Sequence, residues 1–289
     1  MTKHRIVVSL ATDHMSIDIM RPIRGKGLHQ AWQRWSAYLQ GDDAPHHSVM
    51  KSITVRGDTS MQGLAILFQK GLDAIKKSTQ HVLDGASLEV VLGPSLAHVG
   101  ILEMITDGAV KWSETDRNAF VEAWVSQTWA VQPADCMVRA VPVDHSGRHL
   151  VTSIERYVVE TIASLCAQEA IRLSSCKPAL AVHIASLVNQ GEGNTPSDGA
   201  DDGPALNFEV FVERGLDGKR SSIVQFLVLR GCIPLSLTRM WLPEEDEEAS
   251  NDGVVAQTIN RLRAQHRSSG VPRVHIVGWP RTLTEAGKT

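Results

Sequence analysis

The chain has 289 residues, 43% of them hydrophobic and 21% charged, with a formal net charge of −3. That composition belongs to a globular protein with a core of its own and excludes a disordered chain. A near balance of 29 basic and 32 acidic residues gives no bulk attraction to nucleic acid or anionic lipid, and no apolar run approaches the roughly 18 residues of a membrane span.

In chain order, Arg5–Leu10 and Met15–Met20 are apolar, strand-like runs around the turn Ala11-Thr12-Asp13-His14, which predicts a hairpin. Leu28, Ala31, Trp32, Trp35, Tyr38 and Leu39 recur at helical spacing. A strand is expected over Val49–Val55, a long helix over Ser60–His81, and strands at Leu88–Leu92 and Leu96–Met104 around Gly93-Pro94. Ser113-Glu114-Thr115-Asp116 resembles a capping box and starts a helix with Phe120, Val121, Trp124 and Val125 facing inward. Met137–Val143 and His149–Thr152 read as a hairpin. Ser153–Glu169 then carries an apolar stripe from Ile154 to Cys166 at helical spacing.

Gln190–Ala205 holds four glycines, two prolines and four acidic residues without apolar periodicity, the signature of a linker. It divides the chain into 1–189 and 206–289. Beyond it come three strands, Leu206–Val212, Ser221–Leu229 and Ile233–Leu242, an acidic stretch Glu244–Gly253, a helix at Val254–His266 and a strand at Arg273–Val277. Three meandering strands followed by a helix and a strand are how a ribonuclease-H-like half begins. The first half is a less tidy version of the same plan, so the expected fold is α/β in two subdomains.

Most motifs have ordinary readings. Arg24-Gly25-Lys26-Gly27 lacks the Ser or Thr and the spacing of a P-loop and reads as a basic turn. Gly93-Pro94-Ser95-Leu96-Ala97 lacks the second glycine of a nucleophile elbow, and a strand follows where a helix should. The twelve histidines show no HExxH spacing, and His46, His47, His145 and His149 read as solvated turn residues; no metal is expected. Cys136, Cys166, Cys176 and Cys232 have no CxxC spacing and read as reduced thiols, which with no export signal points to the cytoplasm. Arg261, Arg263, Arg267 and Arg273 gather positive charge near the last helix, and Trp32 and Trp35 share one helix face. These two groups are the candidate partner contacts, together with the acidic stretch Glu244–Glu248.

The layout from Leu88 to Asn189 resembles the actin-like cytoplasmic proteins of bacterial type IV pilus and type II secretion assembly, the PilM and GspL group. Leu92-Gly93, Ile101-Leu102, Ile154 to Leu165 and Ile171-Arg172-Leu173 through Pro178 occupy the matching places. The resemblance implies an actin-like fold, a duplicated ribonuclease-H-like architecture. It also carries departures. Actin-like ATPases end their first strand in an Asp followed by a glycine-containing phosphate turn; here Ser9 stands for the Asp and Ala11 for the Gly. Glu213-Arg214-Gly215 does not reproduce the second phosphate turn, and Trp279 replaces one glycine of the last pair, leaving Gly278.

The resemblance with these departures implies a non-catalytic scaffold without a cofactor. It would bind proteins of a membrane assembly platform, reach the inner membrane only through them, and leave a homodimer open. The alternative is a nucleotide-binding ATPase or sugar-kinase-like enzyme that holds Mg·ATP near Ser9, Ala11, Thr12 and Gly278. A third reading is a soluble enzyme whose site lies away from those turns. The missing carboxylate on the first strand also argues against a two-metal nuclease.

Overall fold

The structure is a computed structural model, and it describes residues 5–11, 13–20, 49–78, 86–104, 112–144, 147–191, 206–213, 223–241, 257–258, 260–262, 264 and 273–277. Strands β1 (Arg5–Leu10) and β2 (His14–Met20) form the expected hairpin, and β3 (Val49–Arg56) pairs antiparallel with β2. After helix α1 (Gly63–Ser78), β4 (Ser87–Leu92) lies parallel to β1. The chain then builds a separate three-stranded antiparallel sheet. It consists of β5 (Ala97–Glu103), β6 (Cys136–Pro142) and β7 (Arg148–Glu155) in the order β5-β7-β6, with helix α2 (Glu114–Trp129) inserted after β5. Helix α3 (Arg156–Gln168) leads back to β8 (Arg172–Pro178), which joins β4 in parallel and completes the order β3-β2-β1-β4-β8.

Helix α4 (Ala179–Gly191) leads to the second half. There β9 (Leu206–Glu213), β10 (Ile223–Arg230), β11 (Ile233–Trp241) and β12 (Arg273–Val277) form a sheet ordered β11-β10-β9-β12. The two larger sheets share one plan. In each, a three-strand antiparallel meander is followed by a strand that returns parallel to the first. The expected duplication is therefore present, and the first half is its fuller copy.

Why these segments adopt these elements follows from periodicity. Leu64, Leu67, Phe68, Leu72 and Ile75 of α1 form one buried face, and Val158, Ile162 and Cys166 form that of α3. Both cover the side of β1 that carries Ile6, Val8 and Leu10. Gly71 lets α1 approach closely, since a Cβ there would lie 1.7 Å from Met15 Cε. Ser113 caps α2 as the sequence suggests: its Oγ accepts from the Asp116 N–H at 3.1 Å.

Two of the differences from the sequence reading concern which residues the sheets and the core take up. Ser153, Ile154 and Glu155 extend β7 instead of opening α3, because Ile154 pairs across the sheet with Ala97 and Met137. Phe120 is exposed on α2, its ring tilted against Trp112 with centroids 5.2 Å apart, while Val121 and Val125 are buried.

The halves meet at α4. Its Ala179, Leu180, Val182, Ile184 and Leu187 share one apolar cluster with Val7 and Val91 of the first large sheet. Val99 and Leu150 of the inserted sheet and Phe211, Leu227 and Leu229 of the second large sheet belong to it too. A helix that buries side chains against three sheets reads as almost wholly apolar, which is why ALAVHIASLV shows little amphipathicity. The expected linker starts inside this helix, which runs to Gly191; residues 192–205 lie outside the described ones.

Candidate functional site

In open α/β sheets, ligands bind outside the carboxyl ends of the parallel strands. In the first large sheet those ends are Leu10, Leu92 and Pro178. The backbone there is closely knit. The Ala11 N–H donates to the His14 carbonyl at 3.0 Å, and the Gly93 N–H donates to the Leu10 carbonyl at 2.7 Å. The Gly57 N–H, at the end of β3, donates to the Asp13 carbonyl at 3.0 Å. Ala11 itself is buried, and so is His14, whose Nδ1 lies 2.7 Å from Asp13 Oδ1.

Ser9 is half-buried on the side of β1 that faces α4, between Ser16 of β2 and Val91 of β4. Two buried acids share that side of the sheet, Asp18 and Glu89, which flank Val7 in register. Each has a partner. Ser52 Oγ–H donates to Asp18 at 2.5 Å, and the Arg5 guanidinium reaches Glu89 at 2.7 Å. Among the described residues no group of three or more His, Cys, Asp or Glu side chains is placed to hold a metal ion.

Next to the hairpin, the loop from β3 to α1 borders a cavity of about 310 Å³ lined by Asp58, Ser60, Gln62, Ile66 and Lys70. Asp58 accepts from the Ser60 N–H at 2.8 Å and from its hydroxyl, and Ser60 Oγ accepts from the Gly63 N–H at 3.2 Å. This loop thus caps α1 with its own side chains. Burial raises the Tyr157 phenol above its ordinary range, and the carboxylates of Glu155 and Asp58 add to the effect. Burial also pushes the thiols of Cys166 and Cys176 up to about 11 and about 12, so both stay protonated and unreactive near neutral pH.

Of the residues singled out in the sequence, the structure brings Ser9 and Ala11 to this strand end. Arg261 is exposed on the last helical stretch, beside buried Leu262. Thr12, Trp32, Trp35, Arg263, Arg267 and Gly278 lie outside the described residues. So do Glu244–Glu248 and the turn after Glu213. Sequence reasoning missed two polar contacts that link the halves. His183 of α4 hydrogen-bonds Glu209 of β9 where both are buried, and Arg239 of β11 reaches His98 of β5 at 2.6 Å. For the first, the only signal available was a lone His in an apolar helix and a Glu in the middle of an apolar strand.

Taken together, the repeated sheet order and the helix between the halves define an actin-like fold. A solved structure from Bacteroides thetaiotaomicron, described as a protein with an actin-like ATPase fold and unknown function, matches 99% of this chain and 88% of its own. The TM-score is 0.50 and the sequence identity 10%. Similar structures also include the cytoplasmic domain of EpsL, an inner-membrane component of the type II secretion system of Vibrio cholerae. It is 10% identical, covers 83% of this chain and 71% of its own, and has a TM-score of 0.45. A third is the PilM–PilN type IV pilus biogenesis complex, 9% identical over 84% of this chain, with a TM-score of 0.49; this chain spans 63% of its length. The second and third come from a type II secretion system and a type IV pilus complex, the two kinds of assembly named for the group that the sequence layout resembles. No family model and no curated protein matches the sequence.

Proposed function

We propose that this chain is a non-catalytic, actin-like scaffold that binds partner proteins of a type IV pilus or type II secretion assembly platform. The observation that carries the non-catalytic part is the first-strand turn. Ser9 offers no carboxylate to a metal–water network, and the Ala11 amide, at the place of the phosphate-turn glycine, is engaged by the His14 carbonyl at 3.0 Å. A phosphate would have to displace that bond and accommodate the Ala11 Cβ. The platform context rests on the resemblance of sequence layout set out above. No described helix is long and apolar enough to cross a membrane.

The test is calorimetric titration of the purified chain with Mg·ATP, backed by a thermal shift. A ligand that binds the folded state stabilises it by about 2.7 kcal/mol at a hundredfold excess over Kd. The expected result is no heat and no shift at millimolar nucleotide. Tight binding would overturn the reading in favour of a nucleotide-binding ATPase or sugar-kinase-like enzyme with divergent phosphate loops.

A further inference from the structure

We propose that β6 is a docking edge, which accepts an extended segment of a partner protein, acidic at its centre, as a fourth strand of the inserted sheet. The inference stands independently of the scaffold reading, since a nucleotide-binding chain would carry the same edge.

The first argument is the hydrogen-bond ladder. Among the described residues β6 pairs with β7 alone, so its other side is an edge of the sheet. The Val143 N–H donates to the Arg148 carbonyl at 2.8 Å, which fixes Val143 and Arg148 as a hydrogen-bonded pair. Antiparallel ladders alternate, so Val141, Arg139 and Met137 also direct their backbone groups at β7. Cys136, Val138, Ala140 and Pro142 therefore direct theirs outward. Both ends of that row are closed. Pro142 has no N–H to give, and the Arg156 guanidinium takes the Cys136 carbonyl at 3.2 Å. What stays open is a short stretch centred on Val138 and Ala140.

The second argument is the side chains beside that stretch. Met137, Arg139 and Val141 alternate along one face of β6 and are all exposed, Met137 by 37% and Val141 by 55%. Natural edge strands are commonly protected by charge, proline or a covering element. Here the apolar pair is left in solvent with a single cation between its members. Among the described residues Arg139 makes no ion pair.

An added strand bonded at Val138 and Ala140 would place its own residue opposite Arg139 in a non-hydrogen-bonded position, where cross-strand side chains come closest. A carboxylate there complements the guanidinium, and apolar residues two positions to either side cover Met137 and Val141. The same geometry disfavours a second copy as occupant. A two-fold pairing of β6 with itself centred on Arg139 would oppose two guanidinium groups.

The probe is a fluorophore-tagged peptide of seven residues in which threonine alternates with valine, glutamate, valine. A control has lysine at the centre. Fluorescence anisotropy against the full chain should show the glutamate peptide binding about tenfold more tightly than the lysine peptide. Arg139→Glu should reverse that order, and Ala140→Pro, which removes an outward N–H without touching the β7 ladder, should abolish binding of both. Arg139→Glu alters no backbone group, so it decides the matter if Ala140→Pro fails to fold. Equal affinity for the two peptides, or no binding of either, would overturn the proposal. So would concentration-dependent dimerisation that Ala140→Pro abolishes, since a second copy would then hold the edge. None of these outcomes depends on Mg·ATP, so the two readings fail separately.

Discussion

The His183 imidazole on α4 and the Glu209 carboxylate on β9 form a hydrogen bond across the two halves of the molecule, with both residues buried. The Phe211 ring meets His183 edge-on with ring centroids 4.9 Å apart. Such a contact holds one arrangement of the halves, because separating them would leave a buried polar group without its partner. Glu209→Leu or His183→Leu alone should therefore destabilise the chain by about 3 kcal/mol, and the double variant should cost clearly less than the sum. Denaturant titration of the four proteins measures the coupling. Simple additivity would show that the pair does not act as a unit.

The inserted sheet makes a similar demand at Gly100. A Cβ at that position would lie 2.6 Å from Trp124 Cη2 and 2.9 Å from Trp129 Cζ2. The two indoles pack edge to face over it, with centroids 5.1 Å apart. Gly100→Ala must push them aside. It should lower stability by about 1–3 kcal/mol and change the tryptophan emission, which native-state fluorescence will detect.

Two alanines sit where glycine is the easier residue. Ala130, just beyond α2, has φ 53°, and Ala170, beyond α3, has φ 54°. An L side chain in this left-handed region costs about 1–2 kcal/mol that glycine does not incur. Ala130→Gly and Ala170→Gly should therefore each stabilise the protein by about 0.5–1 kcal/mol after the extra freedom of the unfolded glycine is allowed for. Denaturation midpoints check the sign, which is opposite to that of an ordinary alanine-to-glycine change.

Much of the fold was legible because most strands and helices keep a clean period. Arg5–Leu10 could be read residue by residue, and Leu88–Leu92 and the three strands after Leu206 to within one or two residues at each end. The boundary at Ser153–Glu155 could not. A strand that runs directly into a helix carries one continuous apolar pattern, and only pairing with Ala97 and Met137 decides where it breaks. At the strand end, Ser9 and Ala11 identified themselves by what they are not. Asp18, Glu89 and their partners did not, since register across four strands brings them together and no spacing in the chain encodes it. The edge at Val138 and Ala140 was hidden for the same reason: a hairpin is visible in sequence, but which of its strands lies outermost is set by β5.

The Arg239 guanidinium cannot give up its proton, so in its 2.6 Å contact it is the donor and His98 Nδ1 the acceptor. His98 is therefore neutral, with its proton on Nε2, while its ring stacks on Trp129 at 5.2 Å. Burial, and then the charge of Arg239, lower its pKa from 6.5 to about 4. Between those values the unfolded chain binds a proton that the folded chain refuses, so stability falls as the pH is lowered through this window. At about 1.4 kcal/mol per pH unit the loss is bounded at about 3.5 kcal/mol. His98→Gln can still accept from Arg239 but does not titrate. Its unfolding free energy should therefore drop less than that of the natural chain between pH 6.5 and pH 4. Parallel pH profiles of the two proteins would show the idea to be wrong and place the acid sensitivity elsewhere.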